Sequence, residues 1–380
     1  MSTDESAVVG VEVAVSGTTV ALVDRHGRVC HRLYAKTLWG RPVAATLEPY
    51  LRAIDMMLAH AEAEGFRVCG LGVSLPGSLD ASLRRPALIP TLPALNGVPL
   101  CDLLEARYTL PAQLQVDVDA AVLGEYRFGA GKGFRRLLFL TVNAVVGAAF
   151  VVDGKLERAA HQYVGHVCHI AISVSGTRCS CGKRGCINTL VSTDALQKMV
   201  QRALRRGEET SLVRRFSNGE YFSPRLLAEE ALRGDAVALQ VYSEVGRWLG
   251  AATARYIDIF EPDVLILGGG ILDASELLLA QVRSTLMARS PGQECSVVEV
   301  VSAHLGADAA LIGVAVPFLA GDGATNARHM VSLADVADGE AGDTEHRVVP
   351  VLDDAYPLRA DVVSQQTRRR KSKSYQRQAG

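Results

Sequence analysis

The run C-x-C-G-x-x-G-C, made by Cys179, Cys181, Gly182, Gly185 and Cys186, constrains this chain more than any other feature. Four of its eight cysteines fall in the segment "HVCHIAISVSGTRCSCGKRGC", residues 166–186. Glycines at 182 and 185 let the backbone double back, so three sulfurs can converge on one point. One imidazole then completes a Cys₃His set, the closed tetrahedral arrangement of structural zinc. His169 lies ten residues before Cys179, far enough for a short strand to turn back, with His166 and Cys168 as competing fourth ligands.

A disulfide knot is the other use of clustered cysteines, and compartment separates the two. The opening "MSTDESAVVGVEVAV" lacks the basic and apolar regions of a signal peptide. No apolar run approaches the ~20 residues that cross a bilayer. The expectation is a cytoplasmic protein with no membrane partner, where thiols stay reduced and clusters bind metal. Cys30, Cys69, Cys101 and Cys295 are scattered among apolar residues and are expected to be small buried hydrophobes.

The 380 residues allow two domains, and 48% hydrophobic with 21% charged residues is a globular composition. A net charge of -1 gives no overall basic field for nucleic acid. Residues 8–24 are Val-rich around Ser-Gly-Thr and predict a β-hairpin; 46–65 predict a helix. The strand "VCGLGVSLPG" ends in a Pro-Gly turn, and 137–155 carry a second pair of strands with Asp153-Gly154 as a turn. Helical spacing over 234–260 gives the longest helix, followed by the apolar strand "DVLILGGGI". The theme of hairpin then helices occurs twice, which suggests two related α/β halves. We place an N-terminal domain at 8–120, with 306–320 packing back on it, and a C-terminal domain with the knuckle at 121–305. Residues 321–380 read as a disordered tail with a basic end, a solvated segment before it is a nucleic-acid contact.

With His169, Cys179, Cys181, Gly182, Gly185 and Cys186 in register, the chain resembles the ROK family (repressors, open reading frames and sugar kinases). The resemblance continues through "GVSLPGSLD", "LGEYRFGAG", "VVDGKL", "EPDVLILGGGI" and "LGADAALIGVA", over about residues 8–320. It implies an α/β fold of the two-domain actin-like/hexokinase-like ATPase type (ribonuclease H-like), with a structural zinc held by His169, Cys179, Cys181 and Cys186. A sugar kinase of this fold needs glycine turns near the ATP phosphates, a carboxylate base and polar groups on the sugar hydroxyls.

Measured against that list, the chemistry is altered. The family's N-D-A-N-A-A-A-L-G-E matches "VDVDAAVLGE", so Asp117 takes the position of the catalytic base and Val116 that of a sugar-binding asparagine. Asp119 is expected on the same face of an extended strand as Asp117. Where kinases have D-x-G-G-T, this chain has Glu12 to Ser16, "EVAVS", and side chains occupy the place of phosphate. The second loop, G-T-G-I-G in the kinases, is "NAVVG" from Asn143, and Gly147 alone is kept. The sugar-binding glutamate of G-E-I-G-H becomes His166, the one after the last knuckle cysteine becomes Asn188, and an asparagine of a P-N-L-like segment becomes Thr91. A neutral imidazole accepts one hydrogen bond where a carboxylate accepts two or more. The nucleotide-side Gly268, Gly269 and Gly270 are intact, either for nucleotide or because the turn needs glycine.

The resulting reading is a non-catalytic ROK protein, a regulator-like sensor of a sugar or sugar-phosphate ligand. The resemblance further implies a homo-oligomer. ROK repressors carry a helix-turn-helix before this core, and here about seven residues precede the first strand. DNA binding then has to come from a partner, the basic tail or an upstream segment. The alternative is an ATP- and Mg²⁺-dependent sugar or amino-sugar kinase with Asp117 as base. A structural dimer or scaffold is a third reading.

Overall fold

The computed structural model describes residues 5–14, 17–38, 40–158, 167–289 and 298–319. His166, Cys295 and the tail read as disordered lie outside the described residues. The first sheet combines β1 (Ser6–Ala14), β2 (Gly17–Asp24), β3 (Val29–Ala35), β4 (Arg67–Leu75) and β7 (Ala112–Val116). Its order is β3-β2-β1-β4-β7, beside a small β5 (Ser78–Leu79) and β6 (Pro86–Leu88) pair. The β1–β2 and β2–β3 pairs are antiparallel, whereas β1–β4 and β4–β7 are parallel. The second sheet uses β8 (Arg136–Val142), β9 (Val146–Val152), β10 (Lys155–Glu157), β11 (Val264–Gly268) and β12 (Glu299–Ser302) in the order β10-β9-β8-β11-β12. Three consecutive strands followed by two later ones is the same plan in both sheets. The chain is therefore an α/β protein with mixed sheets, built on a repeated motif.

Two compact units follow from the contacts. Among the described residues the first holds 5–137, 149–158 and 303–319, and the second holds 138–148, 167–289 and 298–302. The segment 121–137, placed in the second domain by sequence, groups with the first unit, and helix α3 (Asp117–Phe128) runs unbroken across the expected boundary at 120/121.

Helix α1 (Val43–Ala63) buries Leu47, Tyr50, Ile54, Met57 and Ala61, the three-and-four spacing of one apolar stripe. Helix α2 (Leu100–Tyr108) precedes β7, and α3 follows it. The second unit adds α4 (Asn188–Val191), α5 (Thr193–Arg206), α6 (Leu212–Ser217), α7 (Pro224–Leu232), α8 (Ala236–Phe260) and α9 (Ser275–Arg289). Helix α8 starts where the Asp235 carboxylate accepts the Ala238 N–H at 2.9 Å, and it stops at Glu261, left-handed before Pro262.

Glycines set the packing of the first unit. The short helix Ala309–Gly313 lies on β1, β4 and α3. A Cβ on Gly72 would sit 2.4 Å from the Val314 oxygen, and one on Gly313 would sit 1.6 Å from the Ala120 oxygen. The motif "LGEYRFGAG" has a similar explanation. Glu125, fully buried, accepts the Leu305 N–H at 2.7 Å and the Ala130 N–H at 2.8 Å.

Two sequence expectations are corrected. Strand β7 ends at Val116, so Asp117 and Asp119 stand in the first turn of α3 instead of on one face of a strand. Carboxylates suit that turn, where free N–H groups and the helix dipole favour negative charge. Cys30 is exposed rather than buried, because β3 is the edge strand of its sheet and Cys30 lies on its outer side; Cys101 is buried, and Cys69 partly so.

Candidate metal centre and ligand site

The knuckle assembles as a cluster in the second unit. The ligand atoms of His169, Cys179, Cys181 and Cys186 all lie within 4.8 Å of one another. His169 Nδ1 is 3.4 Å from Cys179 Sγ, and the sulfurs of Cys181 and Cys186 are 3.6 Å apart. A tetrahedral site with metal–sulfur bonds of about 2.3 Å separates its ligand atoms by about 3.6–3.8 Å, so the donors fit a four-coordinate ion. Cys168 is not in the cluster; burial pushes its thiol up to about 11, the state of a protonated thiol.

The local fold explains the convergence. Gly182 and Gly185 both have positive φ, and a Cβ on Gly185 would lie 1.5 Å from the Ser173 oxygen. Backbone bonds from Cys179 N–H to Lys183 O (2.8 Å) and from Gly185 N–H to Thr177 O (3.0 Å) close the loop. Ile187 N–H to Ile170 O (3.0 Å) ties its two ends. Buried Cys179 and Cys186 anchor it, and Cys181 faces solvent.

The residues that the resemblance matched to sugar and phosphate positions fall in both units, each described in turn. In the first, Val116 is buried and apolar, and Thr91 has a buried hydroxyl with no partner among the described residues. Asp117 reaches solvent, yet the surrounding protein pushes its carboxyl above the usual carboxylate range; N–H bonds from Val118 (2.8 Å) and from Asp117 itself oppose this. Asp119 is buried 3.9 Å from Arg158 and is raised to about 6, by burial first, with Arg158 opposing and Asp117 adding.

Sequence reading missed a polar row across the first sheet. Glu12 pairs in register with Thr19 on β2 and with Ser74 on β4, and Ser74 pairs with Gln115 on β7. In-register neighbours share a face, so these side chains stand side by side. Ser74 Oγ and Gln115 Oε1 are buried without a hydrogen-bond partner among the described residues. Burial raises Glu12 to about 7, with repulsion from Asp117 and Asp308 adding and Arg32 opposing. Arg32 itself bonds Asp308 at 2.6 Å. The available signal was polar residues in two strands that otherwise read as buried, Ser74 in "GLGVSLPG" and Gln115 in "AQLQV".

In the second unit, Asn188 begins α4 directly after the knuckle, and its Oδ1 accepts the Val146 N–H at 2.9 Å. Gly147 lies within β9. Gly268 ends β11, and Gly269 has φ +99° with its would-be Cβ 2.4 Å from the Val142 oxygen. Asn143 Oδ1 accepts the Gly270 N–H at 2.9 Å. No helix among the described residues is long and apolar enough to cross a membrane.

Comparison with known proteins identifies the family. The ROK family model matches residues 8–320. A glucokinase of Thermotoga maritima is 28% identical over 81% of this chain and 96% of its own. The transcriptional repressor Mlc of Escherichia coli is 25% identical over 63% of this chain and 58% of its own. Among solved structures, a Streptomyces griseus ROK glucokinase in complex with glucose and AMPPNP superposes with a TM-score of 0.67, at 27% identity over 81% of this chain and 98% of that one. A ROK transcriptional regulator homologous to Mlc gives a TM-score of 0.73 over 83% and 78% of the two chains. Its 24% identity speaks for the fold alone. With a family model matching most of its length, this chain belongs to the ROK family.

Proposed function

We propose that this chain is a ROK protein that senses a sugar-type small ligand and does not phosphorylate it, with a structural zinc in the knuckle. The observation that carries the reading is the Asn188–Val146 bond. In the kinases the second residue after the last knuckle cysteine is a glutamate that grips sugar. Here it is an amide whose oxygen is spent on the backbone of the would-be phosphate loop. One substitution thus removes a sugar-binding carboxylate and a loop N–H together. Losing a single preorganised donor costs ~10²–10³ in rate, and several positions have changed.

Thr91, Asp117, His166 and the Glu12–Ser74–Gln115 row are the residues proposed to meet the ligand. Zinc bound by His169, Cys179, Cys181 and Cys186 would supply folding free energy and no chemistry. A homo-oligomer, a cytoplasmic location and DNA contact through a partner or another segment belong to the same proposal.

Thermal-shift screening of the zinc-loaded protein tests it. A sugar or sugar phosphate should raise the melting temperature, ATP should not, and ATP with Mg²⁺ and a sugar panel should release no ADP above background. Turnover abolished by Asp117→Ala would sink the sensor reading. It would establish the second one, an ATP-dependent sugar kinase, which is favoured by the raised carboxyl of Asp117 at the position of the base.

A further inference from the structure

We propose that Asn143 is a latch, a side chain that closes the glycine turn 268–270 to nucleotide by occupying the Gly270 N–H. The inference rests on the sensor reading and gives it a structural cause. Packing accounts for only one of the two glycines at 269 and 270. At Gly269 packing alone answers, since φ is +99° and a Cβ would strike the Val142 backbone. At Gly270 it does not. No positive φ is required there, and a Cβ would have its nearest neighbour 3.8 Å away, ordinary contact distance. What glycine leaves at that point is open space beside the backbone N–H.

That N–H is covered by Asn143, whose Oδ1 accepts it at 2.9 Å. The orientation of the amide is fixed from its other end, because Nδ2 donates to Thr141 Oγ1 at 3.0 Å. The backbone below is held too, with the Asn143 carbonyl accepting the Thr193 N–H at 3.0 Å. Val146 N–H is bound by Asn188, so both ends of the 143–146 loop are tied by asparagines. A nucleotide oxygen seeking the Gly270 donor has to displace Asn143 first. The Asn143 side chain is exposed, so it can swing into solvent without repacking the core. Two such bonds, at their typical net worth, correspond to about 10- to 100-fold in nucleotide affinity.

The test uses the full zinc-loaded chain and AMPPNP with Mg²⁺, followed by titration calorimetry. Wild type should show no saturable binding below the millimolar range. Asn143→Ala should bind about 10- to 100-fold tighter, and Asn143→Asp, which keeps an acceptor for Gly270, should gain nothing. Amide exchange at Gly270 should accelerate in Asn143→Ala and stay slow in Asn143→Asp, which reports the latch independently of binding. Asn143→Ser serves in place of alanine if that variant does not fold. Faster exchange without tighter binding overturns the latch and leaves the sensor reading standing. Micromolar binding by wild type overturns both.

Discussion

The knuckle and the polar row of the first sheet are opposite kinds of polar cluster. In the knuckle, three sulfurs and an imidazole converge within 4.8 Å, and the loop's backbone groups bond to one another. In the row, Ser74 and Gln115 hold buried atoms without partners, and Glu12 is pushed up to about 7. With a metal bound, the first kind of cluster would lower the free energy of the fold, and the second raises it. Residues that hold a chain together are difficult to change one at a time. Residues that face a ligand can be rewritten while the scaffold persists, provided the fold tolerates the cost.

The comparison breaks first at the metal. Cys186→Ser should lose the ion and cost more than ~4 kcal/mol, the range reserved for the loss of a structural metal or comparable core feature. Elemental analysis and denaturant unfolding check this, and a variant as stable as wild type would make the knuckle no better than the row.

Glu12→Gln probes the other side. Between about pH 4.5 and pH 7 the folded chain holds a proton on Glu12 that the unfolded chain has released, so this group's contribution to stability falls as pH rises. The glutamine variant should match wild type at about pH 4 and exceed it by up to ~3 kcal/mol at about pH 8. Melting curves at the two pH values decide, and a gap independent of pH would remove Glu12 from the row.

Ser74→Ala sharpens the contrast further. Deleting an unpartnered buried hydroxyl should stabilise the apo protein by ~1 kcal/mol while weakening any sugar-induced thermal shift. Arg135→Ala sets the floor, because the Arg135–Asp153 pair is exposed on both sides; it should change the unfolding midpoint little, within the ~0–1 kcal/mol of surface pairs.

Much of this was legible in the sequence, for identifiable reasons. Apolar runs marked β1, β2 and β11, which are buried along nearly their whole length, and helical spacing marked α1 and α8. The knuckle was legible because its spacing alone forces convergence. Asp117 and Asp119 were read onto a strand and stand in a helix, since a strand that turns into a helix at one residue leaves no break in the pattern. The polar row was invisible for a different reason. Glu12, Ser74 and Gln115 lie far apart in sequence, and strand order alone makes them neighbours. Asn188 was read as a changed ligand, and its bond to Val146 required the path of the loop.

The glycine seam under Ala309–Gly313 also carries a consequence for the order of folding. Gly10 and Gly72 belong to strands near the start of the chain, and the helix that covers them arrives after the whole second unit has been made. During synthesis the first sheet emerges early and waits with that strip uncovered. The unit begun first is thus the last to close, and its exposure lasts as long as the ribosome takes to translate some two hundred intervening residues, about 10–40 s at ordinary elongation rates.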